Sequence, residues 1–179
     1  MIRLFAALPI PFHIAEGLKR RQQGVPRARW RDEDQLHITL RFYGEVAEPV
    51  AADLDADLST VSQPGFDIEL AGVGSFGEGP DIRAIWAGVA ESEPLKRLAA
   101  RCETAARRVG LKPETRAYKP HVTLAYLRLP PPDRVAAWIA GHNLLHSPSW
   151  RADRFGLYSS WRSDDGSRYD LEREYLLHR

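Results

Sequence analysis

The sequence predicts an α+β fold, and three patterns in it carry that prediction. Four stretches place apolar residues at helical spacing, short apolar or alternating runs between them read as strands, and Gly, Pro and Asp-Gly signals separate the pieces. With 179 residues, 44% of them hydrophobic, the chain can bury a substantial core, and the expectation is one compact domain over residues 1–179.

Ile2 to Leu8 reads as an apolar first strand. Pro11 suits the first turn of a helix that Gly24 can end, and a strand carrying His37 follows. From Glu48 to Val61, residues Val50, Ala51, Leu54, Leu58 and Val61 keep helical spacing. Asp53, Asp55 and Asp57 lie in that helical pattern and lack the glycine and terminal glutamate of a calcium loop, so they read as a solvated face. Phe66 to Ala71 and Ile82 to Val89 read as two strands joined by a glycine-rich turn. That turn, Gly72-Val-Gly74-Ser-Phe-Gly77, matches the dinucleotide-binding fingerprint in letters, but a strand and not a helix is expected after it. Leu95, Leu98, Ala99, Cys102, Ala105, Ala106 and Val109 form one helical stripe that Gly110 can end, which makes Cys102 a core residue. A strand carrying His121 comes next, then a helix introduced by Pro130-Pro131-Pro132 with Val135, Trp138 and Ile139 on its buried side. Phe155 to Trp161 and Tyr169 to Leu177 close the chain as strands around Asp164-Asp165-Gly166-Ser167.

The 25 basic and 24 acidic residues nearly cancel, which argues against a broad basic face that would hold many phosphates of a duplex. Any nucleic-acid contact should be local. The single cysteine permits no internal disulfide. An arginine ahead of a short apolar run at the N-terminus imitates a signal peptide, but Pro9 and Pro11 cut the run and no cleavage site follows. No segment approaches the ~20 apolar residues of a membrane span. The expectation is a cytoplasmic monomer.

One short pattern recurs: Leu36-His37-Ile38-Thr39-Leu40 and Pro120-His121-Val122-Thr123-Leu124, with the histidines 121 − 37 = 84 positions apart. Along a strand, side chains alternate between faces, so each His shares a face with its Thr while Ile38/Leu40 and Val122/Leu124 anchor the other face. A lone strand histidine is usually structural. Two copies in one chain suit a reaction that removes one proton and delivers another, because imidazole serves as acid or base near neutral pH. The threonine hydroxyls can donate to phosphate oxygens.

With these motifs the chain resembles, from end to end, the two-histidine (2H) phosphoesterase superfamily. Within it the chain is most similar to the bacterial and archaeal RNA 2′,3′-cyclic phosphodiesterases, also called 2′-5′ RNA ligase-like proteins. Further markers are Arg3-Leu-Phe-Ala-Ala-Leu-Pro9, Arg29-Trp30, Arg41-Phe-Tyr-Gly44, Gly74-Ser-Phe-Gly77 before Ile85-Trp86, Lys119 before the second motif, and Leu157-Tyr-Ser159. The resemblance implies a bilobal fold: two similar lobes of antiparallel strands, helices outside, and both motifs in a central cleft. It also implies hydrolysis of a terminal RNA 2′,3′-cyclic phosphate to a 2′-phosphate, with 2′-5′ joining of RNA, such as tRNA halves, as the reverse reaction. By position, His37 matches the proton donor, His121 the proton acceptor, and Thr39 and Thr123 the phosphate-binding hydroxyls. Many members carry an arginine where Tyr126 stands here. Arg41, continuing the odd-numbered face of His37 and Thr39, is the candidate to replace its charge, and Trp30, Phe42, Tyr118, Tyr126 and Tyr158 are candidates to contact substrate, the aromatic rings by stacking on a base.

Two other readings compete. A non-catalytic binder of RNA ends or nucleotides would have no use for two intact motifs. A metal site would need more than two imidazoles, and His142 and His146, four apart on an expected helix, lack further ligands too. No cofactor or metal is expected, and the partner is an RNA with a cyclic phosphate end or a cyclic nucleotide.

Overall fold

The computed structural model describes residues 1–164 and 166–179. In chain order it forms β1 (Ile2–Pro9), α1 (Phe12–Lys19), β2 (Arg29–Trp30), β3 (His37–Val46), α2 (Glu48–Leu58), β4 (Phe66–Ile68), β5 (Leu70–Phe76) and β6 (Ala84–Val89). There follow α3 (Glu93–Arg108), β7 (His121–Tyr126), α4 (Pro132–His142), β8 (Trp150–Ala152), β9 (Arg154–Ser163) and β10 (Gly166–Leu176), with 3₁₀ turns at Glu33–Gln35 and Gly79–Asp81. The large sheet has the order β10-β9-β1-β3-β7-β6-β5, with β2 added alongside β7, and its strands pair antiparallel. β4 and β8 make a separate two-stranded piece.

The sheet falls into two halves, β10-β9-β1-β3 and β7-β6-β5, which meet where Ile38 pairs with Val122. Each half contributes one motif strand at that seam, so the α+β, two-lobed architecture puts the two histidine motifs side by side. β1 shows how the layers divide. Its Leu4, Ala6 and Leu8 enter the apolar core, whereas Arg3 and Phe5, on the opposite face, line the cleft.

Several elements differ in extent from the sequence expectation. α1 ends at Lys19, five residues before Gly24, because the carbonyls and side chains that follow are used in tertiary bonds: Trp138 Nε1 donates to the Arg21 carbonyl (2.9 Å) and Gln22 Nε2 to the Arg31 carbonyl (2.8 Å). The glycine-rich segment is mostly strand rather than turn: Gly72 and Gly74 lie within β5, and the connection runs from Gly77 to Arg83 before β6. Its glycines answer packing demands. Gly72 has φ +73 beside a register shift between Leu70 and Val73, and a Cβ on Gly74 would lie 2.5 Å from the Trp86 ring. Of the expected turn at 164–167, Asp165 lies outside the described residues, and β10 already begins at Gly166. α3 matches its stripe, with Cys102 fully buried and Gly110 at φ +82 just beyond its end.

Candidate active site

The pairing of Ile38 with Val122 sets the geometry. Carried one residue either way along antiparallel strands, that register places His37 across from Thr123 and Thr39 across from His121. The histidines are thus diagonal on one face, about 8 Å apart at Cα by strand geometry. Ile38, Leu40, Val122 and Leu124 fill the core on the other face. All four motif side chains line one cleft of about 680 Å³.

Both imidazoles are held in the same way. The His37 Nδ1–H donates to the carbonyl of Gln35 and the His121 Nδ1–H to the carbonyl of Lys119, each at 2.7 Å and each two residues upstream. A carbonyl only accepts, so Nδ1 carries the proton and Nε2 is the nitrogen turned to the cleft. The Thr39 hydroxyl donates to His37 Nε2 at 3.1 Å. Aromatic walls surround both rings: Phe5 (4.9 Å between centroids) and Tyr169 (5.4 Å) at His37, Phe76 (4.8 Å) and Trp86 (6.2 Å) at His121.

This burial disfavours the imidazolium and is the largest cause pulling His37 down to about 4, against the opposing pull of the Gln35 carbonyl. The positive charge of Arg31, and then that of His121, add to the lowering. His121 is lowered too, first by burial, with the Lys119 carbonyl opposing and the Lys119 ammonium assisting.

Of the candidate substrate contacts, Phe42 and Tyr126 border the cleft. Tyr118 lines an adjoining recess and braces the site, its hydroxyl donating to the Thr39 carbonyl at 2.9 Å. Trp30 packs toward Trp138 (6.2 Å) and Tyr158 stacks on Phe5 (5.4 Å); neither borders the cleft. Arg41 is turned away from the motif face. Its guanidinium is taken up by the Glu103 carboxylate and by the carbonyls of Phe42 and Lys112, the last at 2.7 Å. The reason is a register shift in the β1–β3 pairing between Ala6/Arg41 and Ala7/Thr39, which breaks the two-residue alternation and brings Phe42 onto the cleft face in place of Arg41.

Several lining residues escape the sequence reading. Arg31, Gln35, Trp161 and Tyr169 all border the cleft. Their common signal is weak: Arg31 sits in the run Arg27-Ala-Arg29-Trp-Arg31, which looks like an exposed basic stretch, and the others belong to turns or to the far end of the chain.

Among the described residues, no group of three or more His, Cys, Asp or Glu is placed to hold a metal ion, and no helix is long and apolar enough to cross a membrane. His142 and His146 do not share a helix face. α4 ends at His142, which bonds the Trp138 carbonyl, while His146 lies beyond it, 3.5 Å from Glu69.

A family model described as the 2′-5′ RNA ligase superfamily matches residues 10–164. The chain belongs to this superfamily. Its 2H phosphoesterase fold is shared by solved members, among them Escherichia coli LigT complexed with 3′-AMP, with a TM-score of 0.80, 28% identity and 99% of each chain covered. Superfamily relatives carrying the name RNA 2′,3′-cyclic phosphodiesterase include an Aeropyrum pernix protein, 41% identical over 59% of this chain and 60% of that one. Another, from Methanocaldococcus jannaschii, is 29% identical over 97% of this chain and 100% of its own length.

Proposed function

We propose that this 2H phosphoesterase is an RNA 2′,3′-cyclic phosphodiesterase, a one-domain, monomeric, cytoplasmic enzyme that opens the cyclic phosphate at an RNA end to a 2′-phosphate. The observation that carries the proposal is the matched anchoring of His37 and His121 at one cleft, each with Nδ1 on a backbone carbonyl, which leaves Nε2 as the nitrogen for proton transfer. The names of the relatives point to the same substrate.

In the proposed reaction, His121 Nε2 takes a proton from water as the water oxygen bonds to phosphorus. The P–O3′ bond breaks opposite the incoming oxygen, and His37 Nε2–H gives its proton to O3′. The product bears a 2′-phosphate and a free 3′-hydroxyl, and the protons equilibrate with solvent afterwards. Thr39 and Thr123 donate to non-bridging oxygens, and Thr39 exchanges its bond to His37 for one to phosphate. Phe42 offers its ring to the terminal nucleoside. In the empty site His37 is neutral at pH 7, so the acid is formed on binding: a phosphodiester anion beside the ring raises its pKa and draws in a proton. With the 5′-hydroxyl of a second RNA in place of water, the same step on the cyclic phosphate forms a 2′-5′ phosphodiester and frees the 3′-hydroxyl, as between tRNA fragments.

The test is incubation with short RNAs ending in 2′,3′-cyclic phosphate and chromatography of the product. A 2′-phosphate terminus is expected. A 3′-phosphate terminus, or unchanged RNA bound without turnover, would replace this reading with the opposite ring opening or with a binding module.

A further inference from the structure

Arg31 is a buried cation at the cleft whose charge the two motifs leave unused. It is 7% exposed, yet no carboxylate lies within ion-pair distance of it among the described residues. A buried guanidinium in that position is costly unless something compensates its charge. Its held part is accounted for: Nη2 donates to the Tyr169 hydroxyl at 2.7 Å, and the guanidinium carbon lies 5.1 Å from the Tyr126 ring centre and 5.5 Å from that of Tyr169. The remaining N–H groups have no partner among the described residues, and the side chain borders the cleft that holds His37 and His121.

We infer that Arg31 is the phosphate-binding cation of this site, clamped between Tyr126 and Tyr169 so that its free N–H groups meet the non-bridging oxygens of the bound phosphodiester. The inference rests on the proposed phosphodiesterase reading and adds to it the charge that the two hydroxyls do not supply. The substrate anion is then the missing counter-ion. Two aromatic faces fit a planar guanidinium better than an ammonium, and they fix its fork for paired hydrogen bonds to phosphate. The position also explains the tyrosine at 126. The Arg31 backbone N–H donates to the Leu124 carbonyl (2.9 Å) beside the β2–β7 pairing, so Arg31 and Tyr126 share one stretch of cleft wall. The cation comes from the residue just after β2, the strand next to β7, and the residue on β7 itself has become the ring that seats it. The charge of Arg31 also contributes to keeping His37 neutral until an anion arrives.

The test uses the full chain, a short RNA ending in 2′,3′-cyclic phosphate for turnover, and adenosine 2′-monophosphate for binding by calorimetry. Arg31→Met should lower kcat/KM by at least 30-fold on the scale of a lost charged hydrogen-bond partner and weaken adenosine 2′-monophosphate binding about tenfold or more. Arg31→Met/Tyr126→Arg, which returns a guanidinium to the same wall, should regain at least tenfold of the lost binding. A folded Arg31→Met variant with unchanged nucleotide affinity would overturn the inference. So would a folded double variant that regains nothing, because Arg31 would then be a structural brace. Absence of turnover by the unmodified protein would fail the phosphodiesterase reading, whereas loss of adenosine 2′-monophosphate binding on substitution tests Arg31 independently of turnover.

Discussion

The His37 Nδ1–H donates to the Gln35 carbonyl at 2.7 Å, and this one bond fixes the tautomer of the imidazole and leaves Nε2 as the acceptor of the Thr39 hydroxyl, at 3.1 Å. His121 repeats the device on the Lys119 carbonyl. Gln35 closes a 3₁₀ turn just before β3 and Lys119 lies two residues before β7, so both imidazoles are oriented by backbone before any ligand arrives.

Removing either imidazole should therefore remove one proton transfer and leave the rest of the site standing. His37→Ala and His121→Ala are each expected to lower kcat by roughly 10² to 10⁴. The double variant should lose far less than the product, since the pair acts as a unit. Thr39→Ala and Thr123→Ala should lower it about 10- to 100-fold through lost hydrogen bonds to phosphate. Steady-state kinetics on a cyclic-phosphate RNA gives all five values, and a fully multiplicative double variant would contradict the paired mechanism.

The pH dependence follows from the direction of the two shifts. Both imidazoles titrate below the ordinary 6.5 in the free protein, His37 at about 4. The competent form needs one neutral and one protonated ring, so kcat/KM against pH should be bell-shaped, its limbs belonging to the coupled pair and both lying on the acid side of 6.5. Bound phosphate favours the imidazolium, so the basic limb of kcat should lie at higher pH than that of kcat/KM. Superimposed basic limbs would mean that substrate does not charge His37.

Cyclic-phosphate hydrolysis should survive excess chelator, because the two imidazoles account for both proton transfers and no cluster of three His, Cys, Asp or Glu is present among the described residues. Loss of activity in chelator, restored by a divalent ion, would contradict this.

Gly74→Ala should destabilise the fold, by about 1–3 kcal/mol on the scale of an overpacked site, because its Cβ would lie 2.5 Å from the Trp86 ring. A chemical denaturation midpoint unchanged from the native protein would show that the ring moves aside freely.

The motif face was legible in the sequence because strand alternation alone sorts His37, Thr39, His121 and Thr123 from Ile38, Leu40, Val122 and Leu124, and burial follows that sorting. Alternation also misleads at Arg41. A bulge in the β1–β3 pairing shifts the period after Thr39, and bulges depend on the partner strand, which no local window contains. Arg31 was hidden for a related reason: its burial depends on Tyr169, 138 residues later, whose ring and hydroxyl hold it. Gly72 and Gly74 matched a nucleotide fingerprint in letters, but their environment is set by the register of β5 and by Trp86 on β6. Trp30 and Tyr158 are aromatic at the right distance in sequence, yet packing claims both.

Leaving-group rescue tests directly whether His37 protonates O3′ while His121 activates water. A 2′,3′-cyclic substrate with sulfur in place of the bridging O3′ expels a thiolate, which needs no proton as it departs. On that substrate His37→Ala should recover much of its lost kcat, while His121→Ala, still lacking the base, should recover little. Equal recovery by both variants would contradict the division of roles, and recovery by His121→Ala alone would reverse it.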